Sequence, residues 1–359
     1  MSGRTREILY RITTAILLLL TVAGTVLIAM RGVRHVEEDW RYYLSFALAL
    51  VALILLPVNA FVHEVGHLVF GWLAGMKFSS VRFGRLRVYR MGKHIHARFL
   101  RRSEVVGSSE MFPKNANKMR GKTVFYALGG GAFNVLYAAA FLTCFFLVPI
   151  SPLLFFFQLF VPLNLFEGLM SFYPADTPTG KTDGRLVKDL IKGESSAIVT
   201  LRVLTAQGLL HRGTFDQIDE GILFDVPVVR EDDPSYPALL QLQYSYLFYC
   251  GRDEEGIKKL NRMRDIYEEL PEQIQADVAC DFVFAFSCIA QDKTCVNTYF
   301  PYLKGAEGTL AYLRAMAGVS VQEEEKKDFI EKALGQAEKE PLFGIAEMER
   351  AYLARIEKK

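Results

Sequence analysis

One pentapeptide constrains this chain more than any other feature. It is His63-Glu64-Val65-Gly66-His67, set in an apolar run in which Glu64 is the only charged side chain from Leu44 to Met76. A run of that length can enter a bilayer, and ionisable groups at such depth are costly enough to mark a functional site. On a helix, residues four apart share a face. His63 and His67 can therefore offer two imidazole nitrogens to one zinc ion, and Glu64, one position on, can act as general base toward a water. The alternative is two core histidines and a buried acid that share this spacing by coincidence. The hydrophobic setting weighs against it, because burying ionisable groups without a partner is expensive.

The rest of the first half fits a membrane protein. The 359 residues allow two domains, and the apolar excess, 51% of residues overall, is concentrated before residue 175. Ile12 to Met30 carry no charge and follow a basic amino terminus, which reads as a retained first span with that terminus in the cytoplasm. The second span is expected over 44–75, with Pro57 kinking it or ending its first part. Thr123 to Phe166 is free of charge and too long for one crossing, and Pro149 and Pro152 divide it into spans at 123–148 and 153–173. Between the second and third spans, residues 77–122 hold thirteen basic side chains against Glu104 and Glu110, a net of +11. That excess beside apolar spans places the loop in the cytoplasm, against an anionic leaflet and not against nucleic acid. Basic and apolar residues partly alternate from Val81 to Phe99, as in a β-hairpin turning near Met91-Gly92. His94 and His96 would share a strand face there, the usual place for exposed histidines.

From about 191 to 359 the chain is soluble in composition. Helical patterns recur at 236–250, 254–269, 273–290, 295–303, 309–318, 322–339 and 345–357. Pro237 and Pro271 lie 34 residues apart, the length of a tetratricopeptide unit. A helical-repeat-like domain of this kind offers a concave surface for a protein partner. The five cysteines are odd in number and show no close pairing, which suits free thiols in a reducing compartment. The fold class expected is thus an α-helical polytopic membrane protein of about four transmembrane helices with a small membrane-associated β-hairpin, residues 1–190. A C-terminal soluble all-α domain, 191–359, follows it.

A catalytic zinc site takes three protein ligands and leaves one position open. The candidates for the third are Glu167, Asp176 and Asp183, and spacing alone does not choose among them. A Gly-rich third span with Asn134 follows the HEVGH helix, and Asn164 and Pro174 then precede Thr182-Asp183-Gly184. This order resembles the site-2 protease family of intramembrane zinc metalloproteases over about residues 44–190. The resemblance implies Asp183 as third ligand, Asn134 as a substrate-positioning residue, and the hairpin as a substrate-contacting element. It implies hydrolysis of peptide bonds in single-span membrane proteins within the lipid bilayer, by a multi-pass protein of the bacterial cytoplasmic membrane. Both termini would be cytoplasmic. The chain departs from the family's pattern in its longer PADTPTGKTDG link, in Thr182 where Leu is usual, and in lacking a PDZ-like domain. A non-proteolytic scaffold or chaperone with a structural zinc is the main rival, and a metal transporter the third reading.

Overall fold

The computed structural model describes residues 3–34, 38–54, 56–99, 107–147, 152–177, 180–233, 235–270 and 272–358. Its first element, α1 (Gly3–Gly32), is one long apolar helix. Its threonines do not disturb the apolar surface, because Thr14, Thr21 and Thr25 each donate to the carbonyl four residues back at 2.8 Å. Leu19, Leu20 and Leu27 point outward, as expected where lipid takes the place of water.

The stretch expected to be one span over 44–75 is helical as α2 (Glu38–Ile54) and α3 (Leu56–Leu73), with residue 55 outside the described residues. Among the described residues, three helices are long and apolar enough to cross a membrane: Ile8–Gly32, Met119–Leu147 and Phe155–Phe172. The expected crossing over 44–75 is not among these three helices. The apolar stretch after α4 (Met119–Leu147) is itself stepped into α5 (Pro152–Gln158) and α6 (Val161–Phe172), with Pro162 at the start of α6. The turn near Pro149 lies outside the described residues.

The basic loop is more than a hairpin. It forms a four-stranded sheet of order β3-β2-β1-β4, with β1 (Lys77–Phe83), β2 (Leu86–Met91), β3 (His94–Phe99) and β4 (Gly107–Phe112). Gly84 and Gly92, both at positive φ, make the two turns. Strands β1 and β2 pair antiparallel with Val81 opposite Val88, and β1 also pairs with β4, Val81 opposite Ser109. The whole of β3, with His94 and His96, is exposed at the sheet's outer edge. β4 is the other edge, and it packs against α3.

After α6, β5 (Asp176–Thr177) and β6 (Gly180–Lys181) form a small ribbon that leads into α7 (Asp183–Lys192). The chain divides into two compact units. One holds residues 1–89, 96–113 and 118–194; the other holds 90–95, 114–117 and 195–359. The second unit is helical: α8 (Ser195–Leu210), α9 (Glu220–Phe224), α10 (Ser235–Tyr249), α11 (Asp253–Asp265), α12 (Glu272–Cys288), α13 (Lys293–Tyr299), α14 (Leu310–Val319), α15 (Glu323–Ala337) and α16 (Phe343–Glu357). Its core includes Leu247, Phe282, Phe284 and Leu353, all essentially inaccessible, and each such side chain contributes about 1.5–3 kcal/mol on burial.

Candidate metal centre

Helix α3 carries Asn59, His63 and His67 at successive four-residue steps, so the three share one face. That face meets α4 and α6. The third contributor arrives from α7 through a tightly tied return. Thr182 caps α7: its Oγ1 accepts from Arg185 N at 3.3 Å and donates to Tyr173 O at 2.6 Å, while its N–H reaches Ala175 O at 3.0 Å. A threonine suits this N-cap better than leucine would, since leucine has no side-chain acceptor. The next residue, Asp183, is thereby aimed back at α3.

Three atoms converge. His63 Nε2 lies 3.2 Å from Asp183 Oδ2, His67 Nε2 lies 3.4 Å from the same oxygen, and the two Nε2 atoms are 3.1 Å apart. A tetrahedral zinc with bonds of about 2.0–2.1 Å has neighbouring ligand atoms about 3.3 Å apart. The spacing and the donor set, two imidazoles and one carboxylate, therefore both fit that ion. Burial raises the pKa of Asp183, but its interactions with the His63 and His67 imidazoles outweigh burial and hold the carboxyl below its usual range. It stays ionised, as a ligand must.

The surroundings orient these donors. His67 Nδ1 is 2.9 Å from Tyr126 O, an acceptor that keeps the proton on Nδ1 and turns the Nε2 lone pair toward the centre. His63 Nδ1 is 3.2 Å from Asn134 Nδ2 on α4. Gly130, also on α4, passes so close that a Cβ there would fall 2.5 Å from His67 Nε2 and 2.6 Å from His63 Nε2. Only glycine leaves that space clear.

Glu64 is 6% exposed, and its Oε2 has no hydrogen-bond partner among the described residues. A Cβ added to Gly107, the first residue of β4, would meet Glu64 Oε1 at 3.0 Å. The other two acids considered for the third ligand are not members of that cluster. Asp176 is exposed and faces Arg185 at 3.7 Å, and Glu167 accepts from Asn59 Nδ2. Among the described residues, His63, His67 and Asp183 form the cluster able to hold a metal.

The structure adds residues that the motifs do not mark. Asn59 could have been found as the residue one helical turn before His63. Gly107 and Ser171, whose hydroxyl donates to Asp183 Oδ2 at 2.7 Å, carry no sequence signal. The chain matches no protein-family model, and it shows no significant similarity to a curated protein or to a solved structure. The site is therefore read from its own chemistry: a His63/His67/Asp183 cluster fit for zinc, beside helices long enough to span a membrane.

Proposed function

We propose that the protein is an intramembrane zinc metalloprotease that cleaves transmembrane or membrane-proximal segments of single-span membrane proteins. The observation that carries this reading is the convergence of His63 Nε2, His67 Nε2 and Asp183 Oδ2 with an unpartnered carboxylate oxygen on Glu64, one residue away from the first ligand. Three protein donors leave a coordination position open, which is the catalytic and not the structural pattern. Zinc bound there supplies a Lewis acid that polarises a scissile carbonyl and acidifies a water. Glu64 takes the proton from the attacking water and returns it to the leaving amine. Buried beside Gly107, its Oε2 has the capacity to accept that proton because no other described residue engages it.

A helical substrate hides its carbonyls in its own hydrogen bonds, so it must open locally before attack. An opened segment needs replacement partners, and strand addition to a sheet edge supplies them. The outer edge of β4, unpaired with another strand among the described residues, suits this role better than the 81–99 stretch, because β4 begins against Glu64 whereas β3 lies at the far side of the sheet. Asn134, touching His63, is placed to assist both ligand and substrate. In this reading the α2–α3 segment completes a fourth crossing, the basic sheet faces the cytoplasmic leaflet of a bacterial cytoplasmic membrane, and both termini are cytoplasmic. The helical C-terminal unit offers a surface for a protein partner.

The test is co-expression with single-span candidates, comparing wild type with Glu64→Gln and sequencing the cut ends. Cleavage that disappears in Glu64→Gln while zinc content is kept supports the reading. A cellular phenotype unchanged by that substitution would favour a scaffold with a structural zinc.

A further inference from the structure

The two segments that carry the ligands, α3 and the start of α7, are far apart in sequence, yet their donor atoms must be held within a few tenths of an ångström. Helix α6 touches both. Ser171 Oγ on α6 donates at 2.7 Å to Asp183 Oδ2, the same oxygen that faces both imidazoles. Four residues earlier on the same helix, Glu167 Oε2 accepts from Asn59 Nδ2, and Asn59, 1% exposed, lies one turn before His63 on α3. Residues four apart share a helical face, so one face of α6 grips both ligand-bearing segments at once.

Helix α6 is itself seated firmly. A Cβ at Gly131 would come 3.1 Å from Ser171 Oγ and 2.9 Å from the Phe172 ring, and one at Gly168 would come 3.0 Å from Gly131 O. The α4 and α6 backbones thus approach at glycines, and Gly131 leaves clear the space beside the Ser171 hydroxyl. Hydrogen bonds to carboxylates are among the stronger ones, and more so where water is scarce.

We propose that Ser171 and Glu167 are positioning residues for the metal centre: Ser171 fixes the Asp183 carboxylate, and Glu167, through Asn59, fixes the setting of the α3 turn that carries His63. The inference rests on the metal-site reading above and goes beyond it by assigning two residues that no ligand motif includes. Glu167 is then no rival third ligand but a tie between helices. Neither residue touches the reacting atoms. Their effect is on how well formed the ligand set is, and partners that orient a ligand are typically worth about 10–100-fold in metal affinity.

The test uses the full-length chain in detergent, loaded with Co²⁺ as a spectroscopic stand-in for zinc. Affinity is measured by chelator competition, and the visible absorption band reports ligand geometry. Ser171→Val and Ser171→Thr have nearly the same volume but differ in the hydroxyl, and Glu167→Leu and Glu167→Gln likewise differ in the acceptor oxygen. The expected result is affinity weakened about 10–100-fold with an altered band in Ser171→Val and Glu167→Leu, and affinity and band close to wild type in Ser171→Thr and Glu167→Gln. Val and Leu variants that bind Co²⁺ with wild-type affinity and an unchanged band overturn the inference while leaving the metal site standing. Thr and Gln variants as impaired as Val and Leu also overturn it, since space and not the hydrogen bond would then be at stake. A wild-type chain that takes up no Co²⁺ overturns the metal-site reading and this inference with it.

Discussion

Gly130 sets a tight condition on both ligand imidazoles. Because a Cβ there would overlap both ligand nitrogens, Gly130→Ala should weaken metal binding by at least about tenfold, as displaced ligand shells do, measured as metal retained after dialysis against a chelator. Full retention would mean that α4 shifts to accommodate the methyl group. Glu64→Gln should do the opposite, keeping metal while lowering the cleavage rate by about 10²–10⁴-fold, the usual worth of a general base. His63, Glu64 and His67 were legible because an ionisable triplet is too costly to bury in an apolar run unless something there binds it. Asp183 was legible only through resemblance, since three acids follow the last apolar stretch and the choice depends on the return path through Thr182. Ser171 and Gly107 were not legible at all: a serine and a glycine gain meaning only from what a distant segment places beside them.

At the scale of elements, the sheet and the helical unit each make a claim that can be checked. Prolines placed singly through β4 at Ser108, Ser109 and Glu110 should abolish cleavage where the lost N–H faces the outer edge, while Ile95→Pro in β3 leaves cleavage intact. Equal loss from both edges would remove β4 from its special role. In the second unit, Arg314 is buried against the stacked Phe284 and Tyr352 rings and paired with Asp281 and Glu349, tying α12, α14 and α16 together. Arg314→Leu strands two buried acids and should cost about 3–5 kcal/mol, read as a drop in the unfolding midpoint. Burial pushes the Glu349 carboxyl up to about 7, with Arg314 opposing the rise. The folded state then holds a proton that an unfolded carboxyl, near 4.5, has already lost. Stability should therefore fall as pH rises from about 4.5 to 7, and Glu349→Gln should flatten that slope. The seven helical patterns read between 236 and 357 overlap α10, α11, α12, α13, α14, α15 and α16, although α13 ends at Tyr299, short of the expected 303. The sheet was only half legible. Basic and apolar alternation marked strands up to Phe99, but β4 (GSSEMF) has no such period, and its place is set by pairing with β1.

For the whole molecule, the number of crossings decides which surfaces share a compartment. Three described helices can span a membrane on their own, and the reading of both termini as cytoplasmic requires the α2–α3 segment to complete a fourth crossing. A reporter active only in the cytoplasm should therefore give signal when fused after Lys359 and when fused before Met1. Signal at one end alone would mean an odd number of crossings and would put the basic sheet or the helical unit on the other side.

The central claim is that one divalent ion is held by His63, His67 and Asp183. The most direct measurement is the metal content of the purified full-length chain by elemental analysis, alongside His67→Ala, Asp183→Ala and Glu64→Gln. Wild type and Glu64→Gln should each carry about one zinc per chain, and the other two variants should lose most of it, as a centre of three protein ligands requires. Wild type free of metal, or Asp183→Ala with its zinc undiminished, would contradict the claim.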